Sequence, residues 1–167
     1  NQQEEAFADL VRTKIELVAP SVDLTVENGL KPALDRLGEG AVDCVVTAYS
    51  VADGSGIDLI ERAQERDATV PTILFTGRGS ERIASQATQA GVSDYIPIQS
   101  EQDDFEILGR RIETLVDAAR QRQRADALSN RFRRTIERTT DAIYAVDSDW
   151  RIEYMNERMA TRVDCDP

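Results

Sequence analysis

The chain has 167 residues, 41% of them hydrophobic, enough for one full domain and part of a second. No apolar run approaches the ~18 residues that span a bilayer, no secretory signal pattern opens the chain, and the absence of histidine removes histidine-based catalysis, phosphohistidine and most metal sites. The net charge of −11 disfavours non-specific nucleic-acid binding by the whole chain.

Glu4 to Val18 carries Phe7, Leu10, Val11, Ile15 and Val18 at helical spacing, and Pro20 stops the helix. Val22, Leu24 and Val26 alternate as a strand that Gly29 ends. Leu30, Ala33, Leu34 and Leu37 line one face of a short helix, with Pro32 in its first turn, where a missing N–H costs little. Asp43–Val46 is a short apolar strand of the kind buried on both faces in a parallel sheet. A turn-rich loop through Gly56 leads into a helix on Ile57, Ile60 and Ala63. Val70–Gly77 contains the next buried strand, Ser80 caps a helix that Gly91 ends, and Asp94–Ile98 is a last strand. Pro97 has no ladder donor, which puts that strand at an edge or ends it there.

Strict alternation of helices and strands with short loops implies an α/β, doubly wound parallel sheet. A flavodoxin-like order 2-1-3-4-5 needs a strand between segments 22–26 and 43–47. The expectation is therefore five strands, the first lying before Asn1. The two cysteines, Cys44 and Cys165, read as reduced thiols in a cytoplasmic protein rather than a disulfide.

From Asp103 to about Thr139 the pattern is one long helix. Charge changes along it: residues 1–109 carry a net −12, residues 110–138 a net +5 and residues 139–167 a net −4. Ala118, Ala125 and Phe132 repeat by seven, with Leu128 and Ile136 beside them. A helix this polar needs a partner helix or many ion pairs, and the spacing favours a two-stranded coiled coil. Ala142–Val146 and Arg151–Met155 then alternate as a hairpin around Asp147–Trp150, and a further helix follows Asn156. Some 30 residues are too few for a core of their own. The expected domains are residues 1–118, a linker helix at 119–139, and a partial α+β domain at 140–167.

The Asp43–Gly56 segment, "ILFTGRGSERIASQA" and "AGVSDYIPI" together resemble the receiver domain of two-component response regulators. Residues 130–167, with Asn156 after the second strand, look like the opening of a PAS domain, with Trp150 at the usual turn glycine. The few lysines, Lys14 and Lys31, on an acidic chain resemble proteins of salt-loving archaea. The receiver resemblance implies a set of roles. An acceptor aspartate follows the third strand, an acidic pair near the first strand holds Mg²⁺, a lysine follows the fifth strand, and a Ser/Thr and an aromatic change conformation. Those places fall on Ala48 for the acceptor, Gln2 and Gln3 for the acidic pair, and Ile98 for the lysine. The conformational pair is Thr76 and Tyr95, and both remain.

The leading expectation is a two-component signal-transduction module, a pseudo-receiver that regulates by protein contact and is joined to a PAS sensor. It has no enzymatic activity, metal or cofactor of its own. Its partners are a sensor kinase or output domain and a second copy, met through the face around residues 80–118 and the linker helix, with no membrane or nucleic acid. Two alternatives stand beside it: a phosphorylatable receiver using Asp53, and a PAS ligand sensor with the receiver as dimerisation scaffold. The glycine-rich Thr76–Arg82 stretch reads as a structural turn rather than an anion site.

Overall fold

Strands β1 (Val45–Thr47), β4 (Thr72–Thr76) and β5 (Asp94–Pro97) pair in parallel in the order β1-β4-β5. Between β1 and β4 lie a two-residue hairpin, β2 (Ser50–Val51) with β3 (Gly54–Ser55), and helix α3 (Gly56–Arg66). Helices α1 (Gln2–Val18), α2 (Leu30–Gly38), α4 (Glu81–Gln89) and the 37-residue α5 (Glu101–Glu137) complete this part of the order. The computed structural model describes residues 2–40, 42–77 and 79–163. It divides into two compact units, residues 1–120 and 121–167.

The central strand explains the layering. All five residues of β4 are buried, and its period of two sends alternate side chains to opposite faces. Ile73 and Phe75 join Ile15, Ala19, Ile96, Phe105, Leu108 and Ile112, so α1 and α5 cover one face. Leu74 joins Ile60, Ile83, Ala87 and Ala90, so α3 and α4 cover the other. The first of these faces is packed tightly enough that a Cβ on Gly109 of α5 would stand 2.7 Å from Val18 Cγ2.

Local chemistry starts and stops the helices where the sequence predicts. Ser55 and Asp58 form a reciprocal capping box at α3, and Ser80 Oγ accepts the Ile83 N–H at α4. Gly91, at φ 87°, follows the end of α4. Strand β5 lies at the sheet edge, where the missing Pro97 donor is harmless.

Residues 22–26 depart from the expectation. Val22, Leu24 and Val26 are half-buried while Ser21, Asp23 and Thr25 are exposed, so the inward alternation is present. No ladder forms there, and among the described residues the parallel sheet has three strands where four were expected within this chain. Alternation fixes which side chains face the core. A strand also requires a neighbouring backbone to bond, and β1 bonds only β4.

Cys44, beside β1, carries a thiol that burial, helped by the charge of Asp43, pushes up to about 12. At neutral pH it is an inert core thiol. Cys165 lies outside the described residues.

In the second unit, β6 (Tyr144–Val146) and β7 (Ile152–Met155) form the expected antiparallel hairpin, and α6 (Glu157–Val163) follows. Trp150 takes φ 63° in the turn. The turn is held by Asp147 Oδ1, which accepts the Asp149 N–H at 2.8 Å and the Arg151 N–H at 2.9 Å. That Asx-type bonding sustains the left-handed residue without glycine. On α5 the apolar Leu128 and Phe132 are exposed.

Candidate functional site

Because β1, β4 and β5 run parallel, their carboxyl ends meet at one edge, where open α/β sheets place their sites. Strand β1 ends at Thr47 and is followed by Ala48; β4 ends at Thr76; β5 ends at Pro97 and is followed by Ile98. The structure joins the ends of β4 and β5. Thr76 pairs with Pro97, and the Ile98 N–H donates to the Thr76 carbonyl at 2.9 Å. The edge presents a methyl group at 48 and an aliphatic side chain at 98. Ile98 packs against the core cluster of α1, α5 and the sheet. Gln2 and Gln3 lie in the first turn of α1, and their side chains fall outside the described residues.

The two residues expected to act conformationally sit close together. Thr76 is buried at 5% exposure. Tyr95 pairs with Leu74 and lays its ring on the Ile60–Leu74–Ile83 cluster. Its hydroxyl reaches the loop after β4, where a Cβ on Gly79 would stand only 3.0 Å away. Tyr95 therefore bridges β5 to the loop that leads into α4.

The loop after β1 closes on α3 with the help of Thr47 and Tyr49, which the sequence reading did not single out. Thr47 Oγ1 donates to the Ala48 carbonyl at 3.1 Å, and the Gly56 N–H donates to the Tyr49 carbonyl at 2.9 Å. A Cβ on Gly56 would overlap the Ala48 carbonyl oxygen and stand 2.9 Å from Thr47 Oγ1. Glycine at the first helical position was the available signal. Its reason is space, not a left-handed backbone.

Asp53, the alternative acceptor, is bonded through its carboxylate to another element. Both carboxylate oxygens accept backbone donors at the start of α2: Oδ1 from the Leu30 N–H, Oδ2 from the Lys31 N–H at 3.1 Å. Gly29 makes room, since a Cβ there would come within 2.6 Å of Oδ1. The Leu30 N–H first, then that of Lys31, hold the Asp53 carboxyl below its ordinary range. It caps a helix 22 residues upstream. A group whose pKa is lowered by folding stabilises the fold above its unfolded value, about 3.9, and that contribution is lost as pH falls through the folded value. Asp53→Ala is therefore expected to be less stable than the wild type at pH 7. The gap should hold down to about pH 4 and close below it, as urea titrations at several pH values would read.

Among the described residues, no group of three or more His, Cys, Asp or Glu side chains is placed to hold a metal ion. On the β5–α5 side, Arg111 Nε pairs with Asp94 at 2.5 Å, and Ile107 of α5 is half exposed. Just before β1, Asp43 pairs with Arg120 at 2.6 Å.

A sequence profile for the response regulator receiver domain matches residues 2–107. The chain belongs to this receiver family. Its receiver domain is 36% identical over 92 residues to the methanogenesis regulatory protein FilR1 of Methanothrix harundinacea, covering 53% of this chain and 21% of that protein. It is 31% identical over 83 residues to the response regulator protein PilR of Pseudomonas aeruginosa, covering 50% of this chain and 19% of that one. The chain thus spans about a fifth of these relatives' lengths. The receiver domain of a Francisella response regulator superposes with a TM-score of 0.59 at 22% identity, over 68% of this chain and 90% of that one. This likeness supports the flavodoxin-like parallel fold. Among the described residues no helix of the receiver chain is long and apolar enough to cross a membrane.

Proposed function

We propose that this receiver works without an aspartyl phosphate. It acts as a cytoplasmic pseudo-receiver, regulating by contact with a sensor kinase or an output domain, and residues 140–167 open a PAS sensor. The observation that carries the reading is the chemistry at the sheet edge. Ala48 and Ile98 stand where phosphotransfer needs a nucleophile and a cation, and neither side chain can supply one. Asp53 has both oxygens engaged by α2. Thr76 and Tyr95, the conformational pair, are retained and adjacent to the α4 loop. A fold that keeps its switch residues and lacks its chemistry suits control by a bound protein. The chain itself then has no enzymatic, metal-dependent or nucleic-acid-binding role.

A second copy is the proposed partner on the face of α4, β5 and α5, where Ile107 is exposed, and along the linker part of α5, where Leu128 and Phe132 are uncovered. Their spacing, with Ala118 and Ala125, matches a coiled-coil seam.

One experiment tests both parts. The full chain is incubated with Mg²⁺ and either acetyl phosphate or BeF₃⁻, then followed by intact mass, fluorine NMR and sedimentation. The expected result is no covalent phosphate, no bound fluoride, and a concentration-dependent dimer that the reagents do not change. Stoichiometric, Mg²⁺-dependent modification at any residue overturns the pseudo-receiver; a monomer at every concentration overturns the dimer.

A further inference from the structure

Asn156 lies between β7 and α6 and is completely buried. Its side-chain amide serves three segments. Oδ1 accepts the Ile143 N–H at 2.9 Å, just before β6, and the Met159 N–H at 3.1 Å in α6. Nδ2 donates to the Asp141 carbonyl at 2.9 Å and to the Ile136 carbonyl at 3.3 Å, in the last turn of α5. Two donors and two acceptor sites fill the whole capacity of an amide side chain. Glu137, at the end of α5, repeats the connection from the helix side. Its Oε1 accepts the Tyr154 hydroxyl at 2.6 Å, and its Oε2 accepts the Glu157 N–H at 3.2 Å.

We propose that Asn156 and Glu137 form a rigid joint that makes the last turn of α5, the β6–β7 hairpin and the start of α6 move as one body. Asn156 is then a positioning residue: a shift or rotation arriving along α5 reaches the hairpin undamped. A helix end left in solvent frays, because its last carbonyls have no intrahelical partner. Here one of those carbonyls, that of Ile136, accepts the Thr139 N–H at 3.2 Å and the Thr139 hydroxyl at 2.7 Å, and the buried amide adds a third bond that ties this capped turn to Asn156; a fully satisfied buried network resists distortion. The inference does not depend on the receiver being unphosphorylated, nor on which family residues 140–167 belong to.

Amide exchange of the full chain, residue by residue by NMR, tests it. In the wild type the amides of Thr135–Glu137, Ile143, Asn156 and Met159 are expected to open together, with closely matched opening constants and a shared dependence on denaturant. Asn156→Asp keeps the acceptor for Ile143 and Met159 but removes the donors to Ile136 and to the Asp141 carbonyl in the loop before β6. It should speed exchange in the last turn of α5 about tenfold more than in β6 and β7. Tyr154→Phe deletes one hydroxyl and leaves the hairpin packing intact, so it serves if the aspartate variant unfolds the hairpin. It should raise α5-end exchange several-fold while Ile152–Met155 stay protected. Unrelated exchange rates in the wild type overturn the joint, as does unchanged α5-end exchange in Tyr154→Phe together with either unchanged or uniformly lost protection in Asn156→Asp. Because the readout is mechanical, it stands or falls separately from the phosphorylation experiment.

Discussion

Replacing Phe105 by alanine is expected to cost about 3–5 kcal/mol of stability, the range for removing a fully buried phenylalanine. Phe105 sits in the second turn of α5 with 1% of its surface exposed. Its ring meets Phe75 of β4 edge to face, centroids 5.2 Å apart and planes at 68°, a geometry that adds about 0.5–1.5 kcal/mol beyond area. Around the pair lie Ile15, Ile73, Ile96 and Leu108, drawn from α1, two strands and α5. The cavity would open at the place where α5 is tied to the sheet. Set against a typical total of about 5–15 kcal/mol for a folded domain, such a loss is a large part of the whole. Urea unfolding followed by circular dichroism reads it as a lower midpoint at nearly unchanged slope. A loss below about 1 kcal/mol would mean that α5 is held to the sheet by something other than this cluster.

Gly56→Ala is the second large effect, expected at about 3 kcal/mol from overpacking in a site that has no room to yield. The added methyl would collide with the backbone carbonyl of Ala48, which lacks the freedom of a side-chain tip. To relieve it, either the loop after β1 moves or α3 shifts its first turn, breaking the Gly56–Tyr49 backbone bond or the Ser55–Asp58 box. Gly77→Ala is the control: nothing lies within 4 Å of a Cβ there, and its cost should stay within about 0.5 kcal/mol. Both are read by denaturant titration. Equal costs at the two glycines would show that backbone entropy, not the Ala48 contact, governs the loop. Gly56→Ala also displaces the residue on which the reading of function depends, so Ala48 amide shifts should move with the stability loss.

The short apolar strands whose ends form the candidate edge were legible in the chain itself. Ala48, Thr76, Tyr95 and Ile98 were placed by the receiver resemblance; in the fold Thr76 and Tyr95 lie within β4 and β5, and Ala48 and Ile98 directly follow β1 and β5. Parallel strands then bring those ends to one edge without further information. Asp53 was not legible. A loop aspartate looks the same whether it forms a turn, faces solvent or caps a helix, and the donors it satisfies belong to Leu30 and Lys31. Asn156 was visible as a residue after a strand, but its bonds to Ile136 and Asp141 span 20 and 15 residues.

Periodicity and local chemistry decided the helices, the strands β1, β4 and β5, the Ser80 cap, the hairpin at Asp147–Trp150 and the unbroken run of α5. These are properties of neighbours along the chain, and neighbours are what a sequence displays. Three things were settled only when distant segments met. Residues 22–26 kept their inward alternation but formed no ladder, since a ladder depends on a second backbone. The space denied to a side chain at Gly56 was set by the carbonyl of Ala48 across a hairpin. The end of α5 was bound to the hairpin and α6 by an amide and a carboxylate whose partners lie on other elements. In each case the deciding term is a hydrogen bond or a contact at a few ångströms, and its partner is chosen by the folded path of the chain.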